Sequence, residues 1–180
     1  MYKINNSDIT ICYPYAKKGK FFIQLITTVL LLVSFIKVSS AQSPCGVEVI
    51  FMPTPEIAQA SLDPITGQPI IIVHPLLSQM VGPAGYRYTL AHECAHHVLG
   101  HVYIQLRILQ QNPYAMPWFT VKRELEADHY AAQYLRSIGD FEAIQAGMVI
   151  VGSSGPFPSG PNYPTGFQRI QAIKNGAGIP

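Results

Sequence analysis

Two histidines and a glutamate occur together in the stretch His92-Glu93-Cys94-Ala95-His96. Residues at positions i and i+4 of an α-helix lie about 40° apart around its axis and one turn apart along it, so both imidazoles can reach a single cation. Imidazole nitrogen is a preferred ligand of Zn²⁺. Glu93, next to the first histidine, can act as a general base toward a metal-activated water. The spacing therefore indicates a zinc site that performs hydrolysis.

A catalytic zinc site has three protein ligands and one open position, so the motif lacks one ligand. On a continuous helix, His97 and His101 lie about 140° and 180° around the axis from His92, and they do not face the same cation. A histidine six residues after His96 would be an alternative ligand, but position 102 is valine. We therefore expect His97 and His101 to be structural or exposed.

Carboxylates that could complete the site occur downstream, on a segment predicted to be the next helix. Glu124 and Asp128 are four residues apart and share one face of that helix. Glu126 lies about 200° from Glu124 around the axis, so only one of the two glutamates can face the histidines. The residues alone leave Glu124 and Glu126 as alternatives for the third ligand.

The two motifs together, HECAH at residues 92–96 and ELEAD at residues 124–128, resemble those of the gluzincin metallopeptidases. The resemblance is closest to the family of the heat-shock protease HtpX and the CAAX prenyl proteases, and it spans about residues 80–175. It implies that Glu124 is the third zinc ligand and that Asp128 orients His92. It also implies a zincin-like single domain of the α+β class, in which a small N-terminal sheet precedes an active-site helix and a glutamate helix.

A second likeness to this family lies near the C-terminus, at Tyr163-Pro164 and Arg169. Family members often carry a His-Pro pair followed by an arginine, so this chain has a tyrosine where the histidine would be. The Tyr163 hydroxyl could donate to a developing oxyanion, which would give it a catalytic role. The alternative is that Tyr163 is an aromatic anchor for its loop. We expect Arg169 to be structural.

The elements that position these residues follow from hydrophobic patterns and turn signals along the chain. A strand is predicted at residues 47–52, and turn residues between two further strands indicate a hairpin. Helical periodicity follows, with Asn112-Pro113 ending the first helix and Asp140 capping the third. Strands followed by helices are typical of the α+β class. The predicted hairpin strands are 58–62 and 69–73; the predicted helices are 86–109, 118–138, 140–151 and 167–174, with an irregular loop at 152–166.

The first 41 residues have the pattern of a secretory signal peptide. Three lysines at positions 17, 18 and 20 precede an apolar run at residues 21–36, and small residues at 39–41 offer a cleavage site after Ala41. The run is short for a membrane-spanning helix, although an uncleaved anchor is the alternative. Both cases predict that residues 42–180, the metallopeptidase domain, are exported to a periplasmic or secreted location.

Residues 42–180 contain two cysteines, Cys45 and Cys94. An oxidising compartment would permit a disulfide between them. Because nothing local supports pairing, we expect Cys94 to be a buried thiol and Cys45 to belong to a loose terminus.

Composition excludes two classes of protein. The chain is 48% hydrophobic and only 12% charged, which is too apolar for a disordered protein. Residues 42–180 hold seven basic and nine acidic residues, so they lack the excess of positive charge that a nucleic-acid-binding protein needs.

The sequence thus predicts a zinc-dependent endopeptidase whose cofactor is Zn²⁺ and whose partners are extended or unfolded proteins or peptides. We expect the substrate to pair with the strand at residues 69–73, and a membrane to be a partner only if residues 21–36 are retained. The alternative is a non-cleaving or latent zinc-binding accessory or chaperone-like protein of the same fold. A third interpretation has no metal and treats the histidines as core residues.

Overall fold

A small mixed sheet forms the N-terminal part of the computed structural model, which describes residues 43–158, 160 and 162–180. Its strands are β1 (Glu48–Phe51), β2 (Ala58–Leu62) and β3 (Pro69–Val73), as predicted. β1 pairs in parallel with β3, and β2 pairs with β3 as an antiparallel hairpin, which gives the order β1-β3-β2. The predicted signal peptide at residues 1–41 lies outside the described residues.

The apolar strand β3 is the central strand, and this position corrects one prediction. Its side chains Ile70, Ile71 and Val73 are buried, which is typical of a strand covered on both sides. Because β1 and β2 occupy its two edges, β3 has no free edge for a peptide. The prediction that substrate pairs with residues 69–73 is therefore wrong, and the free edges of the sheet belong to β1 and β2.

The first predicted helix is in fact two helices. α1 (Leu77–Val98) begins earlier than residue 86 and has a kink at Gly82, whose φ is 70°. α2 (His101–Gln111) begins after Gly100, which also has a φ of 70°. A glycine in the left-handed region is a common helix stop, because other residues are strained there. The periodicity continues across Gly100, which explains why the sequence predicted one helix to residue 109.

Three further helices complete the chain and confirm the predicted ones within a few residues. They are α3 (Met116–Ser137), which follows a 3₁₀ turn at Pro113–Ala115, α4 (Phe141–Gly152) and α5 (Gly166–Ala177). Asp140 caps α4 as predicted, because its side chain accepts a hydrogen bond from the backbone N–H of Ala143. Among the described residues, no helix is both long and apolar enough to cross a membrane.

Helix α1 lies between two apolar clusters. On one side it packs against the sheet, with Ile71, Val73 and Leu90 buried at the contact. On the other side it packs against α3, α4 and α5, in a cluster that includes Leu135 and Ile173. The predicted α+β single domain is confirmed, and α1 joins its two parts.

A disulfide bond between Cys45 and Cys94 attaches the segment before β1 to the middle of α1. The prediction of an unpaired Cys94 is therefore wrong. The cysteines are 49 residues apart in sequence, and only the packing of the sheet on α1 brings them together. No local pattern in the sequence indicates that packing.

Candidate metal centre

Three side chains converge where α1 and α3 cross. The two histidine Nε2 atoms, from His92 and His96, are 3.2 Å apart. A carboxylate oxygen of Glu124 lies 3.3 Å from His92 Nε2, and the other oxygen lies 3.7 Å from His96 Nε2. All three residues are buried. The predicted ligand atoms are therefore brought to one point, facing one another.

This donor set fits a zinc ion. Two imidazole nitrogens and a carboxylate oxygen are typical zinc ligands, and they leave a fourth position open. Tetrahedral coordination with bonds of about 2.0–2.2 Å separates ligand atoms by about 3.3–3.6 Å, close to the 3.2 to 3.7 Å separations observed here. Little rearrangement is needed for the three atoms to bind one ion.

Of the two candidate glutamates, Glu124 faces the histidines and Glu126 does not. Glu126 instead lies beside Lys122, at 3.6 Å, and its side chain is 45% exposed. Arg123 and Arg169 approach the Glu124 carboxylate at 3.3 and 3.9 Å. Although burial raises the pKa of Glu124, the neighbouring histidines and Arg169 lower it below its usual value. Glu124 is therefore a carboxylate, the form that binds metal.

Asp128 supports the other ring nitrogen of His92, as predicted from the resemblance. Its Oδ1 lies 2.9 Å from His92 Nδ1 and also accepts a hydrogen bond of 2.6 Å from the Tyr88 hydroxyl. The Arg169 guanidinium donates two more hydrogen bonds to Asp128, of 2.7 and 2.8 Å. Arg169 is structural as expected, but its contact is with Asp128, the residue that orients His92. Asp128 is fully buried, so these contacts replace its solvation.

The two histidines of the motif have opposite electrostatic surroundings. For His92, burial disfavours the charged form, but the carboxylates of Asp128 and Glu124 outweigh it and raise the pKa to about 10. For His96, burial and the charge of His92 lower the pKa well below its usual value. The motif is therefore asymmetric, with a strong negative partner on one side only.

His96 has a histidine as its partner, which the sequence reasoning missed. The Nδ1 atoms of His96 and His101 are 3.0 Å apart, and His101 is only 2% exposed. His101 is not among the three converging ligands, as expected, but the helical-wheel argument assumed a continuous helix and so missed the contact with His96 that the break at Gly100 allows. His97 is structural as expected, with its Nε2 2.9 Å from the Ile70 carbonyl oxygen of β3.

Glu93 is buried at the free edge of β2. Its Oε2 accepts a hydrogen bond of 2.7 Å from the backbone N–H of Ala60. Burial raises the pKa of Glu93, while His92 and the Ala60 N–H act against that shift. A carboxylate with a raised pKa is a stronger base than an exposed glutamate.

A cleft of about 670 Å³ contains the three candidate ligands and Glu93. Its walls include β2 and Tyr163, so the residue in place of the family histidine lies in the same cavity as the ligands. Burial, followed by the charges of Glu124 and Glu56, raises the pKa of Tyr163. Its hydroxyl is therefore protonated at neutral pH and can donate a hydrogen bond.

One comparison with known proteins gave a match, which covers less than half of the chain. Residues 48–122 match the model described as peptidase family M48. The matched part contains β1 to β3, both histidines and Glu93, and it ends two residues before Glu124. Neither the curated proteins nor the solved structures gave a match. Together with the cluster of His92, His96 and Glu124, the family match confirms the predicted resemblance to gluzincin metallopeptidases.

Proposed function

Because residues 48–122 match peptidase family M48 and the gluzincin ligand cluster is present, we propose that the chain is a zinc-dependent endopeptidase. The observation that carries this proposal is the convergence of ligand atoms from His92, His96 and Glu124 beside the buried carboxylate of Glu93. These three residues would hold the ion. When bound, zinc supplies Lewis acidity, which polarises a carbonyl and makes water nucleophilic at neutral pH.

Glu93 is the proposed general base. It takes a proton from the attacking water and then gives that proton to the leaving amine. Its position supports this role, because Glu93 is buried in the cleft and follows His92 directly on α1. Tyr163 is the proposed hydrogen-bond donor to the oxyanion, and its place in the cleft supports that role.

The free edge of β2 is the proposed docking site for an extended substrate. The backbone N–H of Ala60 points away from β3, because it donates to Glu93. Backbone groups alternate in direction along an antiparallel strand, so those of Ala58 and Leu62 also point to the free edge. An extended peptide that pairs with this edge runs past Glu93, which places a peptide bond near the base.

A substitution of Ala58 by proline tests this docking site. Ala58→Pro removes one outward N–H and leaves the bonds between β2 and β3 intact. We expect KM for a peptide substrate to rise about tenfold, with a smaller change in kcat. A matched substitution, Ser61→Ala, keeps every backbone N–H and should leave both constants near wild type. An unchanged KM for folded Ala58→Pro would remove β2 from the substrate site.

We also propose that the domain acts outside the cytoplasm, in a periplasmic or secreted location. The signal pattern before residue 42 supports this location. The Cys45–Cys94 disulfide adds independent support, because such bonds persist mainly in oxidising compartments. Sequencing the N-terminus of protein recovered from each cell fraction tests both the location and the cleavage after Ala41.

The second candidate function is a zinc-binding accessory or chaperone-like protein that does not cleave. One observation favours it, namely the tyrosine at position 163 where family members often have histidine. Such a protein would keep the metal for stability, because a bound ion stabilises the folded state.

Incubation with an unfolded protein separates these two functions. The full chain is expressed, recovered and loaded with zinc, and then mixed with reduced, alkylated casein. We expect new peptide termini in mass spectrometry, and we expect Glu93→Gln to lower the cleavage rate by about 10²- to 10⁴-fold. The amide oxygen that this substitution introduces can still accept the Ala60 N–H, so the fold and the zinc content should remain.

The exposed substitution Glu48→Gln is the matched control, and it should cleave like wild type. If wild type and Glu93→Gln both hold zinc and neither cleaves, the accessory function is supported. If wild type holds no zinc after dialysis, both candidate functions are excluded.

A further inference from the structure

We propose that His101 is a positioning residue that fixes the tautomer and the orientation of the metal ligand His96. The inference rests on the proposed zinc site, and it assigns a role to two residues that the reaction does not otherwise use, His101 and Glu126. His96, His101 and Glu126 form a continuous polar chain, with distances of 3.0 Å between the two Nδ1 atoms and 3.3 Å from His101 Nε2 to Glu126 Oε2.

The break in the helix makes this contact possible. On a continuous helix, residues five positions apart are about 140° apart around the axis, so their side chains do not meet. Gly100 has a φ of 70° and ends the regular part of α1, so His101 begins a new helix with a different direction. His101 is then 2% exposed and packs edge-to-face on Phe119. A buried imidazole at this place needs hydrogen-bond partners, and His96 and Glu126 provide them.

The chemistry of the three side chains determines which atom donates the proton in each hydrogen bond. An ionised carboxylate only accepts, so His101 Nε2 must carry the proton that it shares with Glu126. In a neutral imidazole the other nitrogen is then an acceptor, and His101 Nδ1 must receive a proton from His96 Nδ1. His96 therefore keeps its free lone pair on Nε2, which is the atom that faces His92 and Glu124. Metal-binding histidines commonly use their second nitrogen in this way, but with a carboxylate, a carbonyl or water as the acceptor.

The experiment measures zinc affinity of the full-length protein by competition with a chromophoric chelator. His101→Phe keeps a ring of similar size and removes both nitrogens. We expect its zinc affinity to fall about 10- to 100-fold, the usual effect of losing a partner of a metal-bound histidine. His101→Asn places an amide oxygen near the position of Nδ1, so it should recover most of the lost affinity.

His97→Phe is the matched control, because His97 is the adjacent histidine and contacts β3 instead of a metal ligand. It should reduce the stability of the protein and leave zinc affinity near wild type. If wild type and His101→Phe bind zinc equally well, the role of His101 is refuted while the zinc site stands. If wild type itself binds no zinc, the proposed function and this inference both fail.

A second measurement needs no variant. Long-range ¹H–¹⁵N NMR of the zinc-loaded protein reports which nitrogen of each histidine carries a proton. We expect a proton on Nδ1 of His96 and on Nε2 of His101. The opposite assignment at His101 would overturn the inference, even if His101→Phe fails to fold.

Discussion

The two histidines of the candidate metal centre are supported in different ways. His92 rests on Asp128, which is fully buried and also holds Tyr88 and Arg169. His96 rests on the neutral ring of His101, and the chain of contacts ends at Glu126, whose side chain is 45% exposed. The support of one ligand is therefore part of the core, whereas that of the other depends on the break at Gly100 and reaches the surface.

The largest difference in stability is expected when the carboxylate of each support, Asp128 or Glu126, is removed. Asp128→Ala removes both hydrogen bonds of the largely buried Arg169 guanidinium to Asp128, and we expect a loss of about 3–5 kcal/mol in the free energy of unfolding. Glu126→Ala acts on a half-exposed group and should cost less than about 1 kcal/mol. Urea denaturation of both variants measures the difference. Equal losses would show that the two supports are energetically alike.

A smaller difference in stability is expected from substitutions at two glycines, Gly147 and Gly100, which lie next to the residues that support the histidines. A Cβ at Gly147 of α4 would overlap the ring of Tyr88, the donor to Asp128. We expect Gly147→Ala to cost about 1–3 kcal/mol through overpacking, measured by urea denaturation. It should also weaken zinc binding, because the displaced Tyr88 disturbs the partner of His92.

The matching substitution on the other side is Gly100→Ala. A Cβ there meets no atom within 4 Å, but the φ of 70° strains any residue with a side chain. We expect a cost of about 1–2 kcal/mol. Gly100→Asn should recover part of it, because asparagine tolerates the left-handed region better than alanine. Identical stability of all three proteins would mean that the helix break is not held in this conformation.

The smallest expected effect is that of a single hydroxyl. Tyr88→Phe removes one hydrogen bond to Asp128 and leaves both bonds from Arg169. We expect a loss of about 1 kcal/mol in the free energy of unfolding. Tyr86→Phe, on the same helix and half-buried, should change stability less. A larger effect for Tyr86→Phe would contradict the importance of the Asp128 network.

The sequence predicted the parts of this protein that depend on local spacing. His92 and His96 lie close together because residues at positions i and i+4 share one face of a helix. The strands of the hairpin follow from turn residues and apolar runs. The convergence of Glu124 with them was predicted through the family resemblance. These features need no knowledge of how distant segments pack.

Other features depend on packing between distant segments, and the sequence failed to predict them. The order of strands in the sheet makes β3 central and leaves the free edges to β1 and β2. The pairing of Cys45 with Cys94 depends on the contact of the sheet with α1. The contact of His101 with His96 was missed for a local reason, because the single glycine at position 100 changes the direction of the chain within a continuous apolar pattern.

The disulfide also determines how the domain responds to a mechanical load. Cys94 is two residues from His92 and two from His96, and it is bonded to Cys45 near the N-terminal end of the described chain. A force that pulls on the chain before Cys45 passes through the sulfur bridge directly into α1. The strands β1, β2 and β3 lie within the closed covalent loop, so the covalent path of that force bypasses them. A tether at the N-terminus would therefore pull on the turn of α1 that carries His92 and His96.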